Sequence, residues 1–119
     1  MANPIVHWEL MGSDGDALKE FYAEIFEWKF TTPEGFESYH MTEGEDMRVN
    51  GAVGQGSEDM PSYQCIYVGV DDINSKLEEI ETVGGKTIVP RTEIPDVVTF
   101  AMFQDPAGNY VGIVEGSQE

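Results

Sequence analysis

Apolar and polar positions along this chain follow two periods, and the same succession of periods runs through twice. Residues 4–11 (Pro-Ile-Val-His-Trp-Glu-Leu-Met) alternate with the period of two expected of a strand. Val6, Trp8 and Leu10 share one face, and His7, Glu9 and Met11 share the other. Gly12-Ser13-Asp14-Gly15 breaks that strand and offers Ser13 or Asp14 as a helix N-cap. Leu18, Phe21, Tyr22 and Ile25 then fall at i, i+3, i+4 and i+7, an amphipathic stripe with Lys19, Glu20 and Glu24 opposite it. Three short strands are predicted after Phe26, at 27–32, 36–42 and 47–54, with turns at 33–35 and 43–46.

A polar connector, 55–61, follows, and the pattern restarts. Residues 62–70 form a strand with Ile66, Val68 and Val70 on one face and Cys65, Tyr67 and Gly69 on the other. Asp71 or Asp72 caps a second helix striped by Ile73, Leu77 and Ile80, and Gly84-Gly85 ends it. Strands at 86–89, 97–103 and 109–115 complete the set, with Asp105-Pro106-Ala107-Gly108 as the turn before the last. The chain therefore reads as one α+β domain, 1–119, of two tandem β-α-β-β-β modules, 4–54 and 62–115. Laid over one another, 39–53 matches 100–114 without gaps at an offset of 61, so Met41 meets Met102 and Gly51 meets Gly112. His7–Leu10 meets Cys65–Val68 at an offset of 58.

Composition narrows the partners. With 6 Lys+Arg against 23 Asp+Glu, the formal charge is −17, which repels nucleic-acid phosphates and anionic lipid headgroups. Neither nucleic acid nor membrane is an expected partner. Self-repulsion of this size is relieved by salt, so the melting temperature is expected to rise between low and high ionic strength; a flat or falling series would refute this. The single cysteine, Cys65, excludes an internal disulfide, and no apolar run approaches the roughly 18 residues of a membrane span. With no basic, apolar leader at the N-terminus, the expected location is cytoplasmic.

The duplicated unit, with its ordered marks, resembles the vicinal oxygen chelate superfamily of glyoxalase I, bleomycin-resistance proteins and extradiol dioxygenases. The marks are His7 with Asp14 and the Leu18–Phe21-Tyr22 helix, then Val70-Asp71-Asp72, Gly84-Gly85-Lys86 and Asp105-Pro106-Ala107-Gly108-Asn109. The resemblance covers essentially the whole chain. It implies a fold whose two half-barrels enclose an inner cavity, and a homodimer. Metal-using members hold a divalent ion with four inward side chains, two near the starts of the first strands and two, typically Glu, on the last strands. Carried over by position, those four are His7, Cys65, Gly51 and Gly112, so both carboxylates are missing and no standard metal site or other cofactor is expected. A divalent metal would have only His7, Cys65 and a substituting Glu9 to hold it.

The expected function is therefore a small-molecule-binding protein of the glyoxalase and bleomycin-resistance kind, with a small organic molecule as partner. One alternative is a lyase or isomerase that uses a degenerate metal site, or Cys65 as nucleophile with His7 as its base. Another is a non-catalytic interaction subunit. Ligand-binding candidates are His7, Glu9, Met11, Gly51, Cys65, Tyr67, Tyr110 and Gly112, joined by Tyr39 or Met41 according to the pleat of that strand. Gly51, Gly69 and Gly112 are expected to open space on the inner wall. His40, opposite Ala101 and in no motif, is expected at the surface. Trp8 and Trp28 read as packing residues between strand and helix.

Overall fold

Each half of the computed structural model, which describes residues 2–116, begins with a strand that runs directly into a capped helix. β1 (Ile5–Gly12) leads into α1 (Gly15–Phe26), then β2 (Lys29–Thr31), β3 (Tyr39–Glu43) and β4 (Ala52–Gln55). The second half repeats the order with β5 (Tyr63–Val70), α2 (Ile73–Thr82), β6 (Lys86–Ile94), β7 (Val98–Gln104) and β8 (Tyr110–Glu115). The mixed α+β architecture read from the sequence is thus present, with eight strands and two helices among the described residues. The fold gathers into two units. His7–Gln64 forms one; residues 2–6 together with 65–116 form the other, where Gly69 N donates to Pro4 O at 2.8 Å. No helix among the described residues is long and apolar enough to cross a membrane.

Both caps follow from short-range chemistry. The Asp14 carboxylate accepts from Ala17 N at 3.1 Å, and the Asp72 carboxylate accepts from Ser75 N at 3.1 Å. The last strand of each half supplies a further acceptor to its helix. Gln55 Oε1 receives Gly15 N at 2.9 Å, and Glu115 Oε2 receives Ile73 N at 2.7 Å. Each helix thus has two of its four orphan N–H groups satisfied by named side chains.

Strand order is β2-β3-β4-β1 in the first half and β5-β8-β7-β6 in the second. β1 pairs with β4, and β5 with β8, in parallel; the remaining neighbours are antiparallel. The observed strands shift some predicted bounds. Residues 36–38 and 47–51 lie outside β3 and β4, while β6 runs five residues beyond its predicted end at 89 and carries register irregularities at Thr87/Val89 and Val89/Thr92.

The pairing also corrects the superposition of the halves. Glu9 and Met41 both lie opposite Ala52, while Tyr67 and Met102 both lie opposite Gly112. Ala52 is therefore the counterpart of Gly112, at an offset of 60, although β3 and β7 keep the offset of 61. The helix-capping pair Gln55 and Glu115 is also 60 apart. The first hairpin is one residue longer than the second. One residue along a strand reverses the face of every side chain, so Gly51 stands on the helix side of its sheet and Ala52 takes the place expected for Gly51.

In the second half, Ile73, Leu77, Val70, Ala101 and Ile113 form a buried cluster, with Val68, Ile80 and Phe103 packed against it. Burying an isoleucine such as Ile73 stabilises by roughly 1.5–3 kcal/mol. On the helix side of the first half, Trp8 meets Trp28 at 5.4 Å between ring centroids, and Trp28 stacks on Tyr22 at 5.4 Å, the packing role expected for both tryptophans. The α1 stripe is only half absorbed. Leu18 and Tyr22 are partly buried, whereas Phe21 and Ile25 are more than half exposed. Gly15 explains the rotation: it is buried, and a Cβ there would lie 2.4 Å from Ser38 Oγ and 2.5 Å from Gln55 N. The helix therefore seats on its Gly15–Leu18–Tyr22 side and turns Phe21 outward.

His40 is not at the surface. It is 5 % exposed, with Nε2 2.8 Å from Asp16 Oδ1 and Nδ1 2.6 Å from Thr32 Oγ1. Its side chain lies on the face opposite Tyr39 and Met41, where it ties β3 to the first turn of α1.

Candidate functional site

The period-two alternation of β1 turns His7, Glu9 and Met11 away from α1, and strand pairing adds Tyr39 and Met41 of β3 and Ala52 of β4 to the same face. Glu9, Met11 and Ala52 are buried there. Tyr39 and Met41 lie two residues apart on one strand, so both belong to this face rather than one or the other.

Tyr39 is the centre of the polar part. Its hydroxyl donates to Glu9 Oε2 at 2.5 Å and lies 2.9 Å from His7 Nε2. A phenol has one proton to give. While that proton points to Glu9, the imidazole must donate to the phenol oxygen. If Glu9 holds a proton and donates it, Tyr39 can turn its own proton to His7. The three groups can therefore pass a proton between an imidazole and a carboxyl without opening a hydrogen bond, the elementary requirement of acid–base work. The sequence makes Tyr39 a candidate only through the pleat of its strand. Its register opposite Gly54, which places it across β4 from Met11 of β1, is the signal that a single strand does not carry.

Burial holds the His7 imidazole below its ordinary pKa of 6.5, opposed by the charge of Glu9 and by a hydrogen bond to the Asn50 backbone. Protons then bind the unfolded chain more readily than the folded one. His7's contribution to stability is complete above pH 6.5 and is lost as pH falls from there through the folded value. Hydrogen bonds lower the carboxyls of Asp16 (from His40, then Ser38), Asp105 (from Asn109) and Glu115 (from Arg91) beneath their ordinary 3.8, 3.8 and 4.5. Their contributions are present above those values and lost at more acidic pH. Melting temperatures between pH 8 and 3 should thus decline in two stages, and His7→Gln should remove the stage that begins near pH 6.5. An unchanged profile in the variant would contradict the buried placement of the ring.

On the second half, Cys65, Tyr67 and Gly69 of β5 lie on the face turned from α2, with Tyr110 and Gly112 of β8 on that same face. Cys65 and Tyr67 are buried, and Cys65 forms no disulfide. For Gly51 and Gly112, the structure corrects the expectation that glycines open the inner wall. A Cβ on Gly112 would fall 2.2 Å from Tyr67 Cδ2, so the Tyr67 ring fills that place. A Cβ on Gly51 would fall 2.1 Å from Trp8 Cδ2, on the helix side.

The residues present do not fit the four-ligand metal set that the resemblance implied. Its two last-strand positions are Ala52 and Gly112, which carry no donor. His7 Nε2 and Glu9 Oε2 both engage Tyr39. Among the described residues, no three His, Cys, Asp or Glu side chains are grouped closely enough to hold an ion.

Duplicated β-α-β-β-β modules, with polar chemistry on the sheet face turned from the helix, define a class of proteins by architecture. The chain belongs to the Glyoxalase/Bleomycin resistance protein/Dioxygenase superfamily, whose family model matches residues 4–113. It is 28% identical over 116 residues to CFP32 of Mycobacterium bovis, whose name assigns it provisionally to the glyoxylases; the match covers 92% of this chain and 44% of that protein. It is 27% identical over 134 aligned positions to the anthracycline biosynthesis protein DnrV of Streptomyces peucetius, covering 93% of this chain and 48% of DnrV. The chain thus spans about half the length of these two relatives. Methylmalonyl-CoA epimerase from Mycobacterium tuberculosis shares the fold, with a TM-score of 0.68 at 11% identity over 95% of this chain and 87% of that one.

Proposed function

We propose that this protein binds a small organic molecule on the sheet face that carries His7, Glu9 and Tyr39, without the four-ligand metal centre of metal-using relatives. The observation that carries the reading is the Glu9–Tyr39–His7 chain. It gathers a carboxyl, a phenol and an imidazole beside the apolar Met11, Met41 and Ala52, the mixture of apolar lining and few convergent polar groups that suits a small-molecule site. The names of relatives support the class of ligand: DnrV is named for anthracycline biosynthesis and CFP32 for the glyoxylases.

Calorimetric titration with three probes tests the reading: an anthracycline, bleomycin, and the hemithioacetal of methylglyoxal with glutathione. Binding of at least one, weakened tenfold or more by Tyr39→Phe and by His7→Ala, is the expected result. No binding of any probe, or binding indifferent to both substitutions, would count against the site. Metal analysis of protein purified without a histidine tag is the companion measurement. More than half an equivalent of bound divalent metal would overturn the metal-free part of the reading.

A further inference from the structure

The outer side of α1 carries two features that the fold does not use. Phe21 is 54 % exposed and Ile25 56 % exposed; with the exposed Ala17 they form an i, i+4, i+8 line along the helix. Beside that line run Asp16, Glu20 and Glu24, also spaced by four and all exposed, with Glu27 continuing past the helix end. Like charges at this spacing repel one another. Among the described residues, Lys19, 3.5 Å from Glu20, and His40, bonded to Asp16, are the basic groups set against the acidic row. The aromatic packing on the inner side of the helix holds the ledge in place: Phe21 meets Tyr22 edge-on at 5.0 Å, and Tyr22 stacks on Trp28.

We propose that this face is a docking surface for a basic amphipathic helical segment of another protein. Apolar side chains of the segment would cover Phe21 and Ile25, while its Lys or Arg residues would face Glu20 and Glu24. Charge complementarity decides among occupants. A second copy of this chain brings an equally acidic row, and like charges set opposite one another oppose association. An anionic lipid surface is repelled for the same reason, so the face does not suit a helix lying on a membrane. A cationic apolar segment relieves the repulsion along Asp16, Glu20 and Glu24 and removes Phe21 and Ile25 from water in one step.

The test uses the full chain and an 18-residue Lys/Leu peptide whose leucines fall at i, i+3, i+4 and i+7. A scrambled peptide of identical composition is the control for attraction to net charge alone. Titration followed by tryptophan fluorescence should show the patterned peptide binding at least tenfold more tightly than the scrambled one, and more weakly as salt is raised. That preference should vanish in Phe21→Ser/Ile25→Ser and, independently, in Glu20→Lys/Glu24→Lys, which leaves the apolar ledge intact. All four positions are exposed, so both variants should melt within a few degrees of the parent. Equal binding of the two peptides would overturn the proposal, as would a preference that survives both variants. Sedimentation that shows the chain pairing with itself, and Phe21→Ser/Ile25→Ser abolishing that pairing, would overturn it in favour of a second copy.

Discussion

Gly51→Ala is expected to lower the melting temperature by roughly 10 °C, which for a chain of this size corresponds to about 3 kcal/mol. The added methyl would sit 2.1 Å from Trp8 Cδ2, 2.3 Å from Cε2 and 2.5 Å from the Trp8 carbonyl oxygen. None of these can simply swing aside. The ring packs on Trp28, and its Nε1 donates to Val49 O at 2.8 Å. The strand segment that would carry the methyl is itself pinned, since Thr42 N donates to Gly51 O at 2.8 Å and Gly51 N donates to Thr42 Oγ1 at 3.0 Å. Relief therefore has to come from moving the tryptophan and the backbone together. Thermal unfolding followed by circular dichroism measures the effect. A loss under 2 °C would mean that the space beside Gly51 is open after all, as the sequence alone suggests.

That prediction marks the boundary between what the residues disclose and what they conceal. The helix caps are legible because an Asx cap is a contact between neighbours three apart, complete within one stretch of chain. The shared face of His7, Glu9 and Met11 is legible because period two needs only β1 itself. The place of Gly51 is not, because it depends on the number of residues between Met41 and Ala52 compared with that between Met102 and Gly112. A gapless comparison absorbs that extra residue without a mismatch, since Val53 over Val114 and Gly51 over Gly112 look sound. His40 is concealed for a related reason: its partners Asp16 and Thr32 lie 24 and 8 residues away, on other elements. For α1 the wheel places Leu18, Phe21, Tyr22 and Ile25 in one arc correctly, but the seating of Gly15 decides which side of that arc meets the sheet. Family membership is legible from the order of marks along the whole chain. The polar centre is legible only as separate candidates, because a hydroxyl bridging β1 and β3 is a property of their arrangement.

Removal of that hydroxyl gives the other large effect. Tyr39→Phe keeps the ring, its 5.6 Å approach to Phe36 and nearly all of its volume, while deleting the donor to Glu9 and the partner of His7 Nε2. Glu9 is 7 % exposed, so water cannot freely replace the missing proton donor. A typical intramolecular hydrogen bond contributes roughly 0.5–1.5 kcal/mol and one to a charged group roughly 1.5–3 kcal/mol. A loss near the upper end of that range, about 3 kcal/mol, is expected in urea unfolding, with an unchanged slope showing that the fold persists. A double-mutant cycle separates the pair from its surroundings. Glu9→Gln keeps an acceptor for the Tyr39 proton at a lower charge, so Tyr39→Phe should cost less in that background, and the coupling should exceed about 1 kcal/mol. Additive losses would mean that the 2.5 Å contact contributes little to stability. The shared-proton account of His7, Tyr39 and Glu9 would then lose its energetic basis, and with it the main argument for chemistry on this face.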